Sequence, residues 1–399
     1  MLGRVHLACQ LIGVALLAVV AGAADPPPLQ EQARRLLGAD QGAFAVAADG
    51  TVLAALNADR PMHPASVTKI ATTLALLRRF GAAHRFVTRV VAAGPLHDGT
   101  AAGDLVVEGG GDPFFVTENA LLVLSELEAR GLRRVAGTLR IRGPFLFNWQ
   151  PDEQGKRLAK VFQGREPASA WSAVCSARPD AASPGERPLG LRFLGREHAG
   201  ETDDSALVLT HRSPALVLML KSLNCYSNNV FHLLSDCVGG PHAVEETARA
   251  SLPQELREAV TIDDAAGRGK TNRLSPRAAV AIIDALAAEL ARQQLTLADV
   301  LPIAGRDPGT LRHRLAGDAV VGKTGTIGSL TVSALAGRAR TRRYGDVTFA
   351  LIDHGIPVDE AHQRQDAFVR AILSEGEARP WSTGGALASL AESEIEMAR

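Results

Sequence analysis

Short hydrophobic runs with the alternating pattern of β-strands lie near both ends of the chain, and longer runs of helical period lie between them. Residues 44–46 and 51–53 flank Asp49-Gly50, a pair typical of tight turns, and predict a β-hairpin. Near the other end, three successive strands are predicted over residues 321–325, 330–338 and 346–353. Strands at both ends predict one sheet assembled from the two ends of the chain, with the middle as an insertion.

Hydrophobic residues three and four positions apart predict the helices. Ile70, Leu74 and Leu77 follow Pro64 at this spacing and indicate a helix over residues 66–80. Further helices are predicted over residues 117–130, 214–238 (interrupted near Ser227), 277–293 and 357–373. Residues 143–204 are rich in Pro, Gly and charge and lack periodicity, which predicts a loop-rich part of the insertion.

These elements predict an α/β (α+β) protein whose antiparallel sheet carries helices on both faces, with a smaller inserted domain. The predicted organisation is a signal peptide over 1–24, a split main domain over 25–92 and 206–380, an inserted domain over 93–205, and a tail over 381–399 whose Ala, Ser and Glu content predicts fraying.

The first two dozen residues have the pattern of a secretory signal peptide. Arg4 precedes the apolar run 11–20, and Ala21-Gly22-Ala23 supplies small residues for cleavage after Ala23 or Ala24. The apolar run is too short to span a bilayer comfortably, so no integral membrane span is predicted after cleavage, and the protein is expected in the periplasm or cell envelope. The mature chain then starts at 25–28 with a stiff, extended, proline-rich leader.

Composition excludes several classes of function. The 399 residues contain 43 basic and 43 acidic side chains. Because these charges balance, the chain has no net positive charge that would attract nucleic acid. Aromatic residues make up only 4%, which disfavours a platform for stacking bases. The sequence has no Cys-x-x-Cys or His-Glu-x-x-His motif, so a zinc hydrolase is disfavoured and no cofactor or metal is predicted.

Three cysteines remain after signal cleavage: Cys175, Cys225 and Cys237. Cys225 and Cys237 lie on one predicted helix, about 18 Å apart along its axis, and are not expected to pair there. Pairing of Cys175 with either of them stays open.

Three short motifs with catalytic potential follow one another along the chain. They are Ser66-Val67-Thr68-Lys69, Ser227-Asn228-Asn229 and Lys323-Thr324-Gly325-Thr326, with the pattern S-x-x-K, S-x-N and K-T-G.

The first motif pairs a hydroxyl with an amine. Ser66 and Lys69 share one helix face, and a serine becomes nucleophilic when a neighbouring base takes its proton. Lysine is such a base only when burial or nearby positive charge lowers its pKa, and Lys323 is a candidate for that charge. The helix start also points backbone N–H groups toward the nucleophile. The alternative is an N-capping serine followed by an exposed lysine.

The second motif places polar residues inside an apolar helical stretch, where they are disfavoured without a reason. In the functional interpretation Ser227 relays a proton and Asn229 binds a substrate amide; the alternative is a simple break between two helices. The third motif continues a predicted strand. On an edge strand it can add a peptide substrate as a further strand, with Gly325 allowing close approach and Lys323, Thr324 and Thr326 holding a carboxylate. Its alternative is a glycine turn on a solvated strand.

Gly109 to Gly111, with Asp112, suggests a phosphate-binding loop at first sight. The Gly-Lys-Ser/Thr ending of such loops is missing, so a tight turn is preferred.

The chain resembles the insertion-bearing, class C low-molecular-mass penicillin-binding proteins, which are D-Ala-D-Ala carboxypeptidases and endopeptidases. Besides the three motifs, the matching blocks are Pro64-Ala65-Ser66, Gly103-Asp104-Leu105, 109–113, 226–229, 301–305 with Gly309-Thr310-Leu311, and 322–327. They cover most of residues 40–355 and imply a penicillin-binding/β-lactamase-like transpeptidase fold. The 158 positions from Lys69 to Ser227 exceed the separation in β-lactamases, and the family fills that gap with an inserted domain.

The resemblance implies a role for each motif residue. Ser66 would be the acylated nucleophile and Lys69 its base, with the backbone N–H groups of Ser66 and Thr326 as oxyanion hole. Ser227 and Asn229 would form the second element, and Lys323, Thr324, Gly325 and Thr326 would bind the substrate carboxylate. The implied partners are peptidoglycan stem peptides, and β-lactam antibiotics as covalent inhibitors.

One block departs from the family pattern Asp-Gly-Ser-Gly-Leu-Ser. Here residues 264–269 read Asp-Ala-Ala-Gly-Arg-Gly, so Ala266 and Gly269 replace both serines. The leading hypothesis is a secreted serine DD-peptidase that releases terminal D-Ala and, as a second reaction, cleaves cross-links. The alternatives are a degenerate relative that binds cell-wall peptides with little or no turnover, motivated by Ala266 and Gly269, and a serine esterase or β-lactamase on the same scaffold.

Overall fold

A computed structural model describes residues 28–179, 187–195, 205–226, 229–315, 317–382 and 384–397. Within these residues the α-helices are α1 (Pro28–Leu37), α2 (Lys69–Phe80), α3 (Thr117–Ala129), α4 (Lys156–Phe162), α5 (Ala168–Ala177), α6 (Leu216–Cys225), α7 (Phe231–Asp236), α8 (Gly240–Ala250), α9 (Pro276–Arg292) and α10 (Val358–Gly376). Short 3₁₀ helices span Ala65–Thr68, Gln254–Ala259, Leu297–Asp299, Gly328–Leu330 and Leu390–Glu392.

The strands form two larger sheets and several short pairings. They are β1 (Gly42–Val46), β2 (Val52–Leu56), β3 (Val87–Ala93), β4 (Leu96–His97), β5 (Thr100–Ala101), β6 (Leu105–Glu108), β7 (Arg134–Val135), β8 (Leu139–Arg142), β9 (Leu146–Phe147), β10 (Gln150–Pro151), β11 (Arg192–Phe193), β12 (Ser205–Arg212), β13 (Val260–Thr261), β14 (Arg273–Leu274), β15 (Val320–Ile327), β16 (Val332–Arg340), β17 (Asp346–His354) and β18 (Glu394–Met397).

The main sheet is assembled from both ends of the chain, as the strand pattern predicts. Its order is β15-β16-β17-β1-β2, and every neighbouring pair is antiparallel. The hairpin of β1 and β2 joins the C-terminal strands through pairing of β1 with β17, in which Phe44 lies opposite Ala350. This topology leaves β15, the strand of the third motif, at one edge.

Both faces of this sheet are covered, which explains why its strands are apolar on both sides. Phe44, Ala350 and Ile352 pack into a core with helices α2, α6 and α9. The intervening residues, such as Phe349 and Leu351, pack into a second core with α1 and α10. Because side chains alternate across a strand, each strand contributes to both cores. The predicted helices on both faces are confirmed.

A second sheet, ordered β18-β12-β3-β6-β8, has its own hydrophobic core with α3, α4 and α5. The prediction that residues 143–204 lack regular structure is wrong in part, because α4 and α5 lie there. Leu158 and Val161 of α4, and Trp171 and Val174 of α5, are buried at a spacing of three, a signal too short to stand out from the surrounding Pro and Gly.

The ends of the chain also differ from expectation. The tail predicted to fray supplies β18, which pairs antiparallel with β12 and thereby joins the C-terminus to the second sheet. Helix α1 begins at Pro28, where an extended leader was expected, and its Leu29, Ala33 and Leu37 are buried. The predicted signal peptide lies outside the described residues, and the domain limits stay a prediction. Among the described helices, none is long and apolar enough to cross a membrane.

The break near Ser227 is confirmed, since α6 ends at Cys225 and α7 begins at Phe231. Cys225 and Cys237 therefore do not share one helix, which corrects the spacing argument drawn from the sequence. Within the described part of the chain, Cys175, Cys225 and Cys237 are all free thiols.

Candidate active site

Ser66 lies on a strained turn at the start of α2. The preceding Ala65 has φ +47°, a left-handed conformation that costs energy in a residue with a Cβ. Residues Ala65–Thr68 form a 3₁₀ turn, closed by the Thr68 hydroxyl on the carbonyl of Ala65 at 2.9 Å, and Lys69 is the first residue of α2. In this geometry the side chains of Ser66 and Lys69 lie on the same side of the helix, and the Lys69 Nζ is 2.7 Å from the Ser66 Oγ.

Lys69 is a buried amine with a depressed pKa. Its side chain is completely inaccessible to solvent, and Nζ donates to the carbonyl of Ala266 at 2.5 Å. Burial lowers the pKa of Lys69 from 10.5 to about 7, with an opposing effect of the Asp264 carboxylate and a further lowering by the Arg268 cation. The predicted contact between Ser66 and a lysine of low pKa is therefore present, and the alternative of an exposed lysine is wrong.

Of the two causes of a low lysine pKa considered from the sequence, burial and the charge of Lys323, burial acts on Lys69. Lys323 is itself fully buried, and burial lowers its pKa well below 10.5, with the neighbouring Lys69 lowering it further. A buried amine that is reluctant to ionise is a poor source of positive charge. Desolvation, rather than the charge of Lys323, sets the pKa of Lys69.

The loop of residues 263–272, here termed the Asp264 loop, packs over Lys69. The buried Asn272 holds it together, because its Oδ1 accepts from the backbone N–H groups of Asp263 and Asp264, both at 3.0 Å. Its Nδ2 donates to the Thr68 hydroxyl at 3.2 Å, which joins the loop to the turn that carries Ser66. Thr72 of α2 donates to the carbonyl of Ala265 at 2.7 Å.

Ala266 and Gly269, the two residues that depart from the family pattern, make their contacts through their backbone carbonyls. The carbonyl of Ala266 accepts from Lys69, and the carbonyl of Gly269 lies 2.7 Å from the Nε2 of His63. Gly269 has no room for a side chain, since a Cβ there would lie 1.8 Å from the Asp263 carboxylate. Loss of both serines therefore leaves the contacts to Lys69 intact.

The third motif brings a strand edge beside Ser66. Gly325 of β15 is packed so closely that a Cβ there would lie 2.9 Å from the backbone nitrogen of Ser66. The predicted approach of a substrate to Gly325 stays a prediction. Residues 302–304 cover the start of β15 through the bridge of Ile303 with Val321. Farther along the strand, Thr326 lines the same cavity as Ser66.

The motif threonines differ in their surroundings. The Thr324 hydroxyl is buried and lies 2.6 Å from that of Thr310, while Thr326 is exposed and its hydroxyl lies 3.5 Å from the Nε2 of His362. The Nζ of Lys323 donates to the carbonyl of Thr324 at 2.9 Å.

The three motifs converge on one open cavity of about 450 Å³. It is lined by Ser66, Asn229, Gly267, Arg268, Thr326, Ile327 and Ser329. Asn229 is exposed to it from the start of the α7 segment, whereas Ser227 lies outside the described residues. Lys69 and Lys323 are buried and do not belong to this lining. Within the described ranges, no group of three or more His, Cys, Asp or Glu side chains is arranged to hold a metal ion.

Several residues of this site were not predicted from the sequence. Lys221 of α6 is fully buried, and its Nζ contacts the Asp307 carboxylate at 2.5 Å and the carbonyls of Ala298 and Leu301 at 2.8 and 2.6 Å. This pair joins the helix before the second motif to the segment that covers β15. A lysine inside the apolar run 216–223 was a signal for it. The contacts of His63, Arg268 and Asn272 had no such local signal.

The comparison with known families and relatives agrees with this geometry. The sequence model of the D-Ala-D-Ala carboxypeptidase 3 (S13) family matches residues 29–144 and 193–373. The unmatched residues 145–192 fall inside the predicted insertion. A carboxypeptidase DacB of Mycolicibacterium smegmatis (strain ATCC 700084 / mc(2)155) is 30% identical over 365 residues, which are 80% of this chain and 77% of the relative.

Solved structures share the fold at low sequence identity. The predatory endopeptidase Bd0816 of Bdellovibrio bacteriovorus, solved with the immunity protein Bd3460, has a TM-score of 0.73 at 19% identity and covers 88% of this chain and 99% of its own. The penicillin G-acylated endopeptidase Bd3459 of the same organism, also with Bd3460, has 0.73 at 20%, covering 87% and 95%. Penicillin binding protein 4 (dacB) of Haemophilus influenzae has 0.60 at 18%, covering 86% and 98%. The penicillin-binding/β-lactamase-like fold is thereby confirmed.

Proposed function

The chain belongs to the D-Ala-D-Ala carboxypeptidase 3 (S13) family of serine peptidases that act on peptidoglycan, and from this premise we propose that it is a secreted DD-peptidase that forms an acyl-enzyme on Ser66. The observation that carries the proposal is the 2.7 Å contact between the Ser66 hydroxyl and the buried Lys69 amine. A pKa of about 7 leaves that amine partly neutral at neutral pH, and able to accept a proton.

Acylation follows from this pair. The neutral Lys69 amine takes the proton of Ser66 while Oγ attacks the carbonyl carbon of the penultimate D-Ala. The oxyanion that forms is stabilised by the backbone N–H groups of Ser66 and Thr326. Collapse of the tetrahedral intermediate breaks the C–N bond, and the leaving D-Ala amine receives a proton from Lys69 by way of Ser227. Water then hydrolyses the ester and restores Ser66.

The strand edge and the second motif orient the substrate. The stem peptide lies along β15 near Thr324 and Thr326, and its terminal carboxylate meets Thr324, Thr326 and Lys323. A carboxylate next to Lys323 favours the charged form of that buried amine. Asn229 donates to a substrate amide at the opposite wall of the cavity.

The named relatives support this assignment, since one is called a carboxypeptidase and others are called peptidoglycan or predatory endopeptidases. Release of terminal D-Ala is the proposed main reaction and cleavage of cross-links the second. The acylation of Bd3459 by penicillin G supports β-lactams as covalent inhibitors of this chain. The predicted signal peptide supports action in the periplasm or cell envelope, which fractionation of cells and N-terminal sequencing of the exported protein would test.

The decisive experiment is covalent labelling by a fluorescent penicillin, with mass spectrometry of the labelled peptide. The full chain is expected to carry the label on Ser66, and S66A is expected to carry none. S176A, which alters an exposed serine of α5 whose hydroxyl donates to the carbonyl of Ser172, is the control and is expected to label normally. A label that survives in S66A refutes the proposal.

Incubation with muropeptides separates the remaining functions. Ser66-dependent release of D-Ala from a pentapeptide supports the DD-peptidase. Labelling without release, together with binding to cell-wall sacculi, identifies the degenerate binder instead. Rapid loss of the label with hydrolysed penicillin as product identifies a β-lactamase.

A further inference from the structure

We infer that His63 is a positioning residue for acylation: its imidazole ties the strained turn of the nucleophile to the Asp264 loop, and does so only as the neutral Nε2–H tautomer. The inference rests on the proposed role of Ser66 as nucleophile. His63 does not line the cavity and touches neither reacting atom, so its effect passes through Ala65 and Gly269.

The ring of His63 is held at both nitrogens by the backbone. The backbone N–H of Ala65 lies 3.1 Å from Nδ1, and the carbonyl oxygen of Gly269 lies 2.7 Å from Nε2. An N–H can only donate and a carbonyl can only accept, so Nδ1 is the acceptor and Nε2 carries the proton. The surroundings therefore select one protonation state out of three.

The hydrogen bond between His63 and Ala65 affects the orientation of the nucleophile, Ser66. Ala65 holds φ +47° and directly precedes Ser66, so relaxation of this peptide would turn the Ser66 side chain away from Lys69. Gly267 packs under the same peptide, where a Cβ would lie 2.0 Å from the carbonyl oxygen of Ala65. Ala65 is therefore held on both sides: its N–H donates to Nδ1 of His63, and its carbonyl packs against Gly267.

The hydrogen bond between His63 and Gly269 affects the position of the base, Lys69. Gly269 belongs to the Asp264 loop, and the carbonyl of Ala266 in that loop accepts from the Lys69 amine. One imidazole therefore connects the backbone before Ser66 with the loop that binds Lys69. A shift at either end changes the Ser66–Lys69 contact, and misplacement of reacting groups by about 1 Å costs rate by orders of magnitude.

The groups around His63 favour the neutral ring. Burial lowers the pKa of His63 below 6.5, the Arg273 cation lowers it further, and the Gly269 carbonyl and the Asp263 carboxylate oppose them. His354 faces the backbone of His63, whose N–H donates to the His354 Nε2 at 3.1 Å, and burial also lowers the pKa of His354. Protonation of His63 places a hydrogen on Nδ1 against the N–H of Ala65, which breaks that bond.

Two substitutions separate the two ends of the bridge. H63Q keeps a donor near the position of Nε2 and loses the acceptor for Ala65, whereas H63N keeps an acceptor near Nδ1 and loses the donor to Gly269. We expect H63Q to slow penicillin labelling of Ser66 about 10- to 100-fold, and H63N about 3- to 10-fold. H84N, at a half-buried histidine stacked on Phe80, is the matched control and is expected to label at the wild-type rate.

The pH profile distinguishes positioning from a merely structural role. The wild-type labelling rate is expected to fall about tenfold per pH unit below the pKa of Lys69, and by a further factor of about 10 to 100 in total where His63 also takes a proton. In H63Q and H63N this further fall is expected to disappear, since the second titrating group is gone. Thermal unfolding shows whether each variant is folded.

Two results overturn the inference. One is labelling of both variants within about twofold of the wild type at neutral pH. The other is a wild-type profile that keeps its single slope through the pH range in which the imidazole of His63, followed by NMR in the folded protein, takes a proton; this decides the matter even where the variants do not fold. A wild-type protein with no Ser66-dependent label refutes the proposed function instead, so the two failures are distinguishable.

Discussion

Acylation of Ser66 is predicted to depend on the ionisation of Lys69, with a midpoint near neutral pH. Burial places the pKa of this amine at about 7, and the amine lies 2.7 Å from the hydroxyl that it would deprotonate. Only the neutral amine can accept the proton, so the labelling rate should rise with pH and level off above the midpoint.

The size of the effect follows from the two pKa values. At pH 7 a lysine with the ordinary pKa of 10.5 is neutral in about 3 of every 10,000 molecules, whereas roughly half of the Lys69 side chains are neutral at a pKa of about 7. Burial therefore raises the share of enzyme with a competent base about a thousandfold. A base exposed on the helix surface would leave acylation slow until far above neutral pH.

The assay is the rate constant for covalent labelling by a fluorescent penicillin, measured from about pH 5 to about pH 9. R268Q provides a directed shift, because the Arg268 cation lowers the pKa of Lys69 and its side chain is exposed. Without that cation the midpoint should move up by roughly 0.2 to 0.5 pH units in low salt, and less in high salt. R89Q, at an exposed arginine of β3, is the control and should not move it.

A rate constant that stays level from pH 9 down to pH 6 would refute the reasoning, because Lys69 would then not be the titrating base. A midpoint above pH 9 would refute it differently, by showing that burial does not lower the pKa of this amine. If R268Q and R89Q give the same midpoint, the attribution to the Arg268 charge is wrong.

Three further predictions concern packing and stability. G267A should slow labelling at least about tenfold, because the φ of Gly267 is +82° and the new Cβ would lie 2.0 Å from the Ala65 carbonyl oxygen. G50A, at a glycine with φ +86° and no neighbouring atom within 4 Å, is the control and should label normally. Equal labelling rates for the two variants would contradict this prediction. K221M should lower the free energy of unfolding by about 3–5 kcal/mol in urea, since it leaves the partly buried Asp307 carboxylate and two carbonyls without their donor. D59N, which breaks an exposed ion pair, should cost less than about 1 kcal/mol. D112N should raise the melting temperature more at pH 8.5 than at pH 5. Burial raises the pKa of Asp112 to about 7, above its unfolded value of 3.8, so its contribution to stability is present at low pH and lost as the pH rises through 7; equal gains at both pH values would count against this account.

The local pattern predicted the elements that carry the motifs. The hairpin of β1 and β2, the three C-terminal strands, α2, α9 and α10 all lie where hydrophobic period and turn residues place them. Strand and helix periods are properties of neighbouring residues, so they can be read without knowing the partner surface. Prediction failed at α4, α5 and α8, where short apolar repeats form helices only because a nearby core receives them.

By itself the sequence determined the reactive residue types and the order of the motifs, because Ser66, Lys69, Asn229 and Lys323 are recognisable by type and local spacing. It also determined that the third motif lies on a strand, whereas the position of that strand at the sheet edge follows from the pairing of the strands in the folded protein. Only the tertiary structure decided how those groups ionise and how they are held. The pKa of Lys69 depends on burial beneath a loop that lies about 200 positions away in the sequence. The hydrogen bonds of the His63 ring to Ala65 and Gly269 join the same distant segments. Burial and hydrogen-bond partners are properties of segments brought together by folding, and no local pattern of residues specifies them.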